Sequence, residues 1–298
     1  MSQKYEKISP TAIGVASLRA QFTNMPYSNE IYKRIKKIAH VPFFMRIPRP
    51  FNRLARFFPR ALETVAGLEI RYLSVNDVLK TLDDSWSIIE VASGLSARSL
   101  DWSEKYAIYL ETDLADMLEI KKGVFAEILQ VHRIPTPIPH AFEILNALDY
   151  MEWDRLGKTY FPGKRAKIAV INEGLLGYLS LEEKIHLRDN IKAFFETYAS
   201  EGRWITPDFS TRGRLQASRI TRYVRRSLER DTERKFHWFT NRDAVTKFLN
   251  EAGFEVSFLS NDTILNKLTC IPKMHLKSDR ILQILPNYQA CSAQIIKK

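Results

Sequence analysis

The sequence predicts an α/β protein built on a mostly parallel, seven-stranded sheet flanked by helices, with a helical N-terminal extension. Three observations point there. From Trp86 onward, short aliphatic and β-branched runs alternate with longer helical patterns, the rhythm of βαβ units. Small residues follow the first of these runs, where a doubly wound sheet passes from strand to helix. The first 85 residues lack this alternation and read as helical and strongly basic.

In the extension, Ile31, Ile35 and Ile38 recur at helical spacing, while Lys33, Arg34, Lys36 and Lys37 take the other faces. From Ile31 to Leu62 there are nine Lys or Arg and no acid. Pro42, Pro48, Pro50 and Pro59 interrupt this stretch and predict short helices and turns. A further helix is predicted near Val75–Leu82. Ser87–Ala92 then reads as a buried strand, followed by the small residues Ser93-Gly94-Leu95-Ser96-Ala97. Tyr106–Leu110 reads as a second strand running up to the acids Glu111 and Asp113, Phe142–Asn146 as a third and Lys167–Ile171 as a fourth. Ser180 and Glu183 have capping-box spacing and open a helix with Leu181, Ile185, Ile191, Phe194, Phe195 and Tyr198 along one side. Arg203–Thr206 is the fifth strand. Arg212–Lys235 carries nine Lys or Arg and three acids, and the region near 211–236 is expected to be a basic helical insertion. Thr240 and Asp243, again at capping spacing, open a helix to Ala252 that Gly253 stops. Glu255–Leu259 and Gln289–Ile295 supply the closing strands. With no repeat, low-complexity tract or linker, the expectation is a core over residues 86–298 carrying residues 1–85 as an extension or lid.

Composition narrows the function classes. The chain has 298 residues, 45% of them apolar and 27% charged, which is ordinary globular usage. No apolar run approaches the roughly 20 residues that span a bilayer. Met1–Pro10 carries charges and no apolar core, so no secretory signal is expected. Two cysteines, Cys270 and Cys291, make neither a disulfide framework nor a zinc site by themselves, and a reduced, cytoplasmic setting is expected. The net charge of +11 leaves nucleic acid, anionic lipid, an acidic partner or a basic surface open.

Three features converge where such a sheet binds ligands, beyond the C-terminal ends of its strands. The turn Ala92-Ser93-Gly94 lets the backbone approach a ligand closely. Asp113, at the end of the next strand, lies 19 residues after Gly94, near the spacing at which an acid reaches ribose hydroxyls. Glu173-Gly174-Leu175-Leu176-Gly177-Tyr178-Leu179 forms a glycine-bearing turn after the fourth strand. Each is weak alone, and their order and spacing point to a nucleoside-bearing cofactor. The first turn lacks the three glycines of a dinucleotide site, and Gly-x-x-x-x-Gly-Lys-Ser/Thr, Gly-x-Ser-x-Gly and zinc-ligand spacings are absent.

Five stretches, in order, carry a family resemblance. They are Ser9-Pro10-Thr11-Ala12 with Leu18-Arg19-Ala20; Arg71-Tyr72-Leu73-Ser74-Val75-Asn76-Asp77; Glu90-Val91-Ala92-Ser93-Gly94-Leu95-Ser96-Ala97-Arg98; Tyr109-Leu110-Glu111-Thr112-Asp113-Leu114; and Asn172-Glu173-Gly174-Leu175-Leu176-Gly177-Tyr178-Leu179. They span Ser9 to Leu179, and Trp238–Val256 follows more loosely. On these stretches the chain resembles the leucine carboxyl methyltransferase family, a class I branch of the S-adenosylmethionine-dependent methyltransferases with a Rossmann-like sheet. The resemblance implies S-adenosylmethionine as cofactor and a role for each matching residue. Arg71 would pair with the methionine carboxylate. Ala92 and Gly94 would form the cofactor turn and Asp113 would accept the ribose hydroxyls. Asn146 and Ala147 would lie beside the adenine, and Glu173 would help hold the methionine amino group. Ala92 stands where the family has its first glycine and fits there if its φ is negative, Ser96 replaces an acid, and Asn146 replaces another.

The implied reaction is methyl transfer to a carboxylate or hydroxyl of a small metabolite or peptide. No metal and no catalytic base are expected, because positioning carries most of such a displacement. Tyr178 is a candidate for the acceptor pocket. His132, His140 and His237 fall in segments near the expected mouth and read as structural. The alternatives are a basic nucleic-acid binder or RNA methyltransferase using 33–60 and 212–235, with Phe43, Phe44, Phe51, Phe57 and Phe58 interleaved, or a cofactor-binding protein without catalysis. No nucleic-acid-binding motif supports the former, and the basic segments read better as a frame favouring an anionic acceptor. The sequence gives no indication of oligomeric state.

Overall fold

The computed structural model describes residues 9–38, 59–134, 140–163, 166–209, 229, 237–260 and 262–295. Its elements are helices α1 (Ser9–Phe22), α2 (Ser28–Ile38) and α3 (Pro59–Leu79), then β1 (Trp86–Val91), α4 (Arg98–Trp102), β2 (Ile108–Asp113), α5 (Ala115–His132), β3 (His140–Ile144), α6 (Tyr150–Tyr160) and β4 (Ala166–Asn172). There follow α7 (Leu181–Tyr198), β5 (Ala199–Thr206), α8 (Arg242–Asn250), β6 (Phe254–Phe258), α9 (Cys270–Met274), α10 (Ser278–Ile284) and β7 (Cys291–Ile295). The seven strands form one sheet in the order β3-β2-β1-β4-β5-β7-β6. The β3-β2, β2-β1, β1-β4 and β4-β5 pairings are parallel, whereas β7 runs antiparallel to both β5 and β6. The sheet is therefore mixed, a Rossmann-like architecture whose strand order reverses between β1 and β4.

Alternation along the central strands feeds two cores. Ile89, Val91, Ile168 and Val170 pack on one face with Trp153 and Leu156 of α6, Leu187, Ile191 and Phe194 of α7, and Val245 and Phe248 of α8. Ile88, Tyr109, Ala169, Ile171 and Ile205 pack on the other face with Val75, Val78 and Leu79 of α3. A third cluster joins α1 and α2, through Ile13, Ala16, Ile31 and Ile35, to Val124, Phe125 and Ile128 of α5. Both faces are covered, which is why β1 is buried along its whole length.

Several boundaries differ from the sequence reading. The helix expected near Val75–Leu82 is the last part of α3, which begins at Pro59; this proline opens a helix, where its missing N–H costs nothing, and Leu82 lies in the turn beyond. The second strand starts at Ile108 and runs through Asp113, because Tyr106 follows a 3-10 turn and its hydroxyl donates to the Leu79 carbonyl at 2.6 Å. The third ends at Ile144, so Leu145 and Asn146 bend away as a loop. Ser180 and Glu183 form the expected capping box, but Leu181 at the first helical position is exposed. Asn241, not Thr240, caps α8 by accepting from the Ala244 N–H at 2.9 Å. Between β6 and β7 the sequence reading placed nothing; the chain there forms a 3-10 helix (Asp262–Lys267), α9 and α10, which pack against Phe22 of α1 and Val65, Ala66 and Ile70 of α3. Most of the basic stretch 33–60, all of Phe43, Phe44, Phe51, Phe57 and Phe58, and nearly all of 211–236 lie outside the described residues. Cys270 and Cys291 are buried free thiols. Among the described residues no helix is long and apolar enough to cross a membrane.

Candidate functional site

A cavity of about 620 Å³ opens beyond the C-terminal ends of β1, β2 and β4, at the point where the strand order reverses, with α1 and α3 forming its outer wall. Arg71, Ala92, Gly94, Asp113, Asn146, Ala147, Glu173 and Tyr178 all line it. The structure thus brings together every site residue expected from the sequence.

The turn after β1 forms one edge. Ala92 and Gly94 both have φ of +50°. The expectation of a negative φ at Ala92 is overturned: an L-residue holds a left-handed conformation here, at a cost of about 1–2 kcal/mol. At Gly94 an added Cβ would come no closer than 3.9 Å to Ala12, so the backbone angle rather than space favours glycine. The turn is fixed from two sides. The Gly94 N–H donates to Asp113 Oδ2 at 2.7 Å, and the Ser93 carbonyl on the same peptide plane accepts from Lys121 Nζ at 3.4 Å. Lys121 is fully buried, paired with Glu111, and its ammonium is pushed down to about 7 by burial.

Asp113 ends β2 with its carboxylate in the cavity wall. Oδ2 takes the Gly94 N–H, and Oδ1 takes the Leu114 N–H at 2.8 Å. Burial pushes its carboxyl up to about 6, although these two hydrogen bonds pull the other way.

Beyond Asp113 the cavity is lined mainly by the apolar side chains of Leu114, Met117, Ile144, Leu145 and Leu148, with Asp116, Asn146 and Glu152 among them. The loop after β3 is pinned on several sides. Asn146 Oδ1 accepts from the Leu148 N–H at 3.1 Å, the Asn146 N–H donates to Glu152 Oε2, and the Ala147 carbonyl accepts from Trp153 Nε1 at 3.0 Å and Asn190 Nδ2 at 3.1 Å.

The opposite end holds a network of ion pairs. Both oxygens of Glu173 are engaged, one by Arg19 Nη2 and the other by Arg98 Nη2 at 2.8 Å. Arg98 is fully buried and also binds Glu90 at 2.5 Å and Asn76 at 2.9 Å, while its guanidinium lies 4.5 Å from the Tyr72 ring centre. Burial alone would raise the Glu173 carboxyl, but Arg19, Arg98 and Arg71 outweigh it and hold the group below its ordinary value. Arg71 Nη2 donates to Asp208 Oδ1 at 2.5 Å. Burial opposes the charge of Arg71, yet Asp208, Glu173 and Tyr178 more than restore it. The other Asp208 oxygen accepts from Asn172 Nδ2 at 2.8 Å and from the N–H groups of Gly174 at 2.8 Å, Leu175 at 2.7 Å and Leu176 at 3.1 Å. One carboxylate therefore ties α3 to the turn after β4.

Arg19, Glu90, Arg98, Glu152 and Asp208 received no role from the sequence. The rule that singled out Asp113, an acid at the end of a strand, extended by two residues beyond β5 reaches Asp208. Arg19 could have been noticed as the basic residue of an otherwise apolar, small-residue helix. The histidines lie elsewhere. His140 stacks on Phe125, pairs with Glu111 at 2.9 Å and is lowered to about 4 by burial and Lys121. His132 lies 3.4 Å from Glu30, His237 packs edge-on to Phe239, and none of the three lines the cavity.

No protein-family model and no curated protein matches the sequence. Among solved structures, the chain is similar to magnesium protoporphyrin IX methyltransferase (ChlM) from Synechocystis PCC 6803 with bound SAH, at 10% identity, a TM-score of 0.46, and coverage of 91% of this chain and 95% of that one. It is similar to a putative O-methyltransferase from Nostoc punctiforme at 13% identity, a TM-score of 0.47, and coverage of 95% and 72%. It is also similar to human N-acetylserotonin methyltransferase in complex with SAM at 12% identity, a TM-score of 0.44, and coverage of 90% and 66%. At such values the likeness concerns the course of the chain and carries no chemistry from those proteins to this one.

Proposed function

We propose that the protein is an S-adenosylmethionine-dependent O-methyltransferase acting on a carboxylate or hydroxyl of a small metabolite or peptide. The observation that carries this reading is the convergence of Arg71, Ala92, Gly94, Asp113, Asn146, Ala147 and Glu173 on one cavity at the strand-order reversal. The polarity of that cavity fits the cofactor along its length. An apolar slot at the β3 end suits an adenine. A buried carboxylate with lone pairs to spare suits a ribose diol. An end where Arg19 and Arg71 stand with Glu173 suits a zwitterionic amino acid.

In this reading Asp113 holds the ribose, the Ala92–Gly94 backbone lies along the sugar and sulfur, and Asn146 and Ala147 flank the base. Arg71, with Arg19 beside it, meets the ligand carboxylate, and Glu173 the amino group. When bound, the cofactor supplies a methyl group on a positively charged sulfur. This chain's residues bind, orient and exclude water, so that the acceptor meets the methyl in line. The described cavity wall contains no histidine, and Glu90, Glu173 and Asp113 are engaged by arginines or backbone N–H groups. Within this reading an acceptor that is already ionised, a carboxylate, needs no base. That agrees with the sequence resemblance to leucine carboxyl methyltransferases, to which the narrower assignment belongs. Residues 1–85 would act as a lid, with α1 and α3 as its inner surface.

Calorimetry with S-adenosylmethionine and S-adenosylhomocysteine tests the reading. Binding by the wild type is expected, with Asp113→Ala weakening it far more than Asp116→Ala, whose side chain carries no role here. Absence of binding by both ligands at millimolar concentration would overturn the assignment, and equal effects of the two substitutions would remove the ribose role.

A further inference from the structure

Asn146, which replaces an acid, was expected to lie beside the adenine, where its side-chain carbonyl is the group able to receive the base's amine. That oxygen already accepts from the Leu148 N–H at 3.1 Å in a local turn, and the remaining side-chain group is an NH2 donor. A carboxylate stands beside it. Glu152, in the first turn of α6, lines the same end of the cavity, and one of its oxygens accepts the Asn146 backbone N–H. Its other oxygen meets no donor among the described residues, and neither does the Ala147 N–H find an acceptor, although both residues line the cavity. The Asn146 carbonyl on the same peptide plane accepts the Asp149 N–H at 2.9 Å, so the peptide cannot turn to hide that N–H.

We propose that Glu152 is the residue that selects the base: its free carboxylate oxygen accepts the exocyclic amine of an adenine while the Ala147 N–H donates to the neighbouring ring nitrogen. The inference rests on the cofactor reading above and adds to it a residue and a discrimination. An acceptor beside a donor complements the amine and unprotonated ring nitrogen of adenine. It opposes hypoxanthine, which presents a carbonyl oxygen and a ring N–H at the same two places. A site built to pair with a polar group rejects the analogue that reverses it, because buried partners are then left unpaired.

The test uses S-adenosylhomocysteine and its deaminated inosine counterpart, with affinities measured by calorimetry on the full chain. Wild type should prefer the adenine ligand by roughly 10-fold or more, the size expected for one hydrogen bond to a charged group. Glu152→Gln places an amide NH2 either against the base or against the Asn146 N–H, and should reduce that preference by about the same factor. The ratio of the two ligands on one variant cancels any shared loss of folded protein, and Glu152→Ala provides a second variant with the same expected collapse. A preference that keeps its full wild-type size in both variants overturns the role of Glu152 while leaving the cofactor reading intact. Failure of the wild type to bind either ligand overturns both.

Discussion

Asparagine at position 208 would place one carbonyl and one amide group where five donors now converge on a carboxylate. The donors are Arg71 Nη2, Asn172 Nδ2 and the N–H groups of Gly174, Leu175 and Leu176. If the amide NH2 turns toward Arg71, two donors face one another and the guanidinium loses its counter-charge. If it turns the other way, it confronts Asn172, Gly174, Leu175 and Leu176 together. Both arrangements break a buried ion pair by removing one partner, which costs about 3–5 kcal/mol. For a chain of this size that corresponds to a fall in Tm on the order of 10 °C. Urea unfolding followed by tryptophan fluorescence reads the change, since Trp204 Nε1 donates at 2.8 Å to Asn172, itself a donor to Asp208. Combining Asp208→Asn with Arg71→Met completes a double-mutant cycle, and the pair should couple by about 1 kcal/mol or more. A loss below about 1 kcal/mol, or strictly additive effects, would refute the reasoning that this carboxylate holds α3 and the turn after β4 together.

The Asp113 carboxyl, raised to about 6 from an ordinary 3.8, gives a pH signature. The folded state binds the proton more tightly than the unfolded chain, so ionisation opposes folding: this contribution to stability is lost as pH rises from about 4 through 6. Melting curves across that range should flatten in Asp113→Asn, and the affinity for S-adenosylhomocysteine should rise with pH through about 6 in wild type but not in the variant. At Ala92, valine should destabilise by about 1–2 kcal/mol or more, because a β-branched side chain tolerates positive φ poorly. Glycine there should stay within about 1 kcal/mol of wild type, since its extra unfolded-state entropy offsets the relieved backbone. Thermal melts that rank the valine variant equal to wild type and to the glycine variant would show that the turn does not demand this conformation.

Much of the architecture was legible because its causes are local. Strand runs such as Ser87–Ala92, the Ser180–Glu183 box and the Gly253 stop are patterns within a few residues, and each appears within a residue or two of its expected place. Gly94, Asp113 and Glu173 were legible from strand-end logic, while Arg71, Asn146 and Ala147 came through the family resemblance. What escaped depends on distant partners. Glu173 meets Arg98 across 75 positions and Arg19 across 154, and Asp208 meets Arg71 across 137. No local pattern announces such pairs, since the same residues would read as solvated charges if the chain folded otherwise. The helical segment between β6 and β7 escaped for a related reason: its short helices make sense only against the faces of α1 and α3 that they cover.

That segment fixes when the cavity can be completed. Its contacts to the outer wall join the two halves of the sequence: Thr269 Oγ1 accepts the Asn24 N–H at 2.8 Å, Lys273 Nζ donates to the Thr23 carbonyl at 2.7 Å, and Glu69 accepts the Cys270 N–H at 2.9 Å. These contacts span 245, 250 and 201 positions, and closing loops of that length is entropically expensive and slow. During synthesis α1 and α3 are made before the strands, meet α5, the sheet and Asp208 as these follow, and gain their last brace only when residue 273 has been made. The wall bearing Arg19 and Arg71 is therefore secured last, after the strands that carry Gly94, Asp113 and Glu173 have been laid down, and a ligand that bridges wall and sheet strengthens the joint that forms latest.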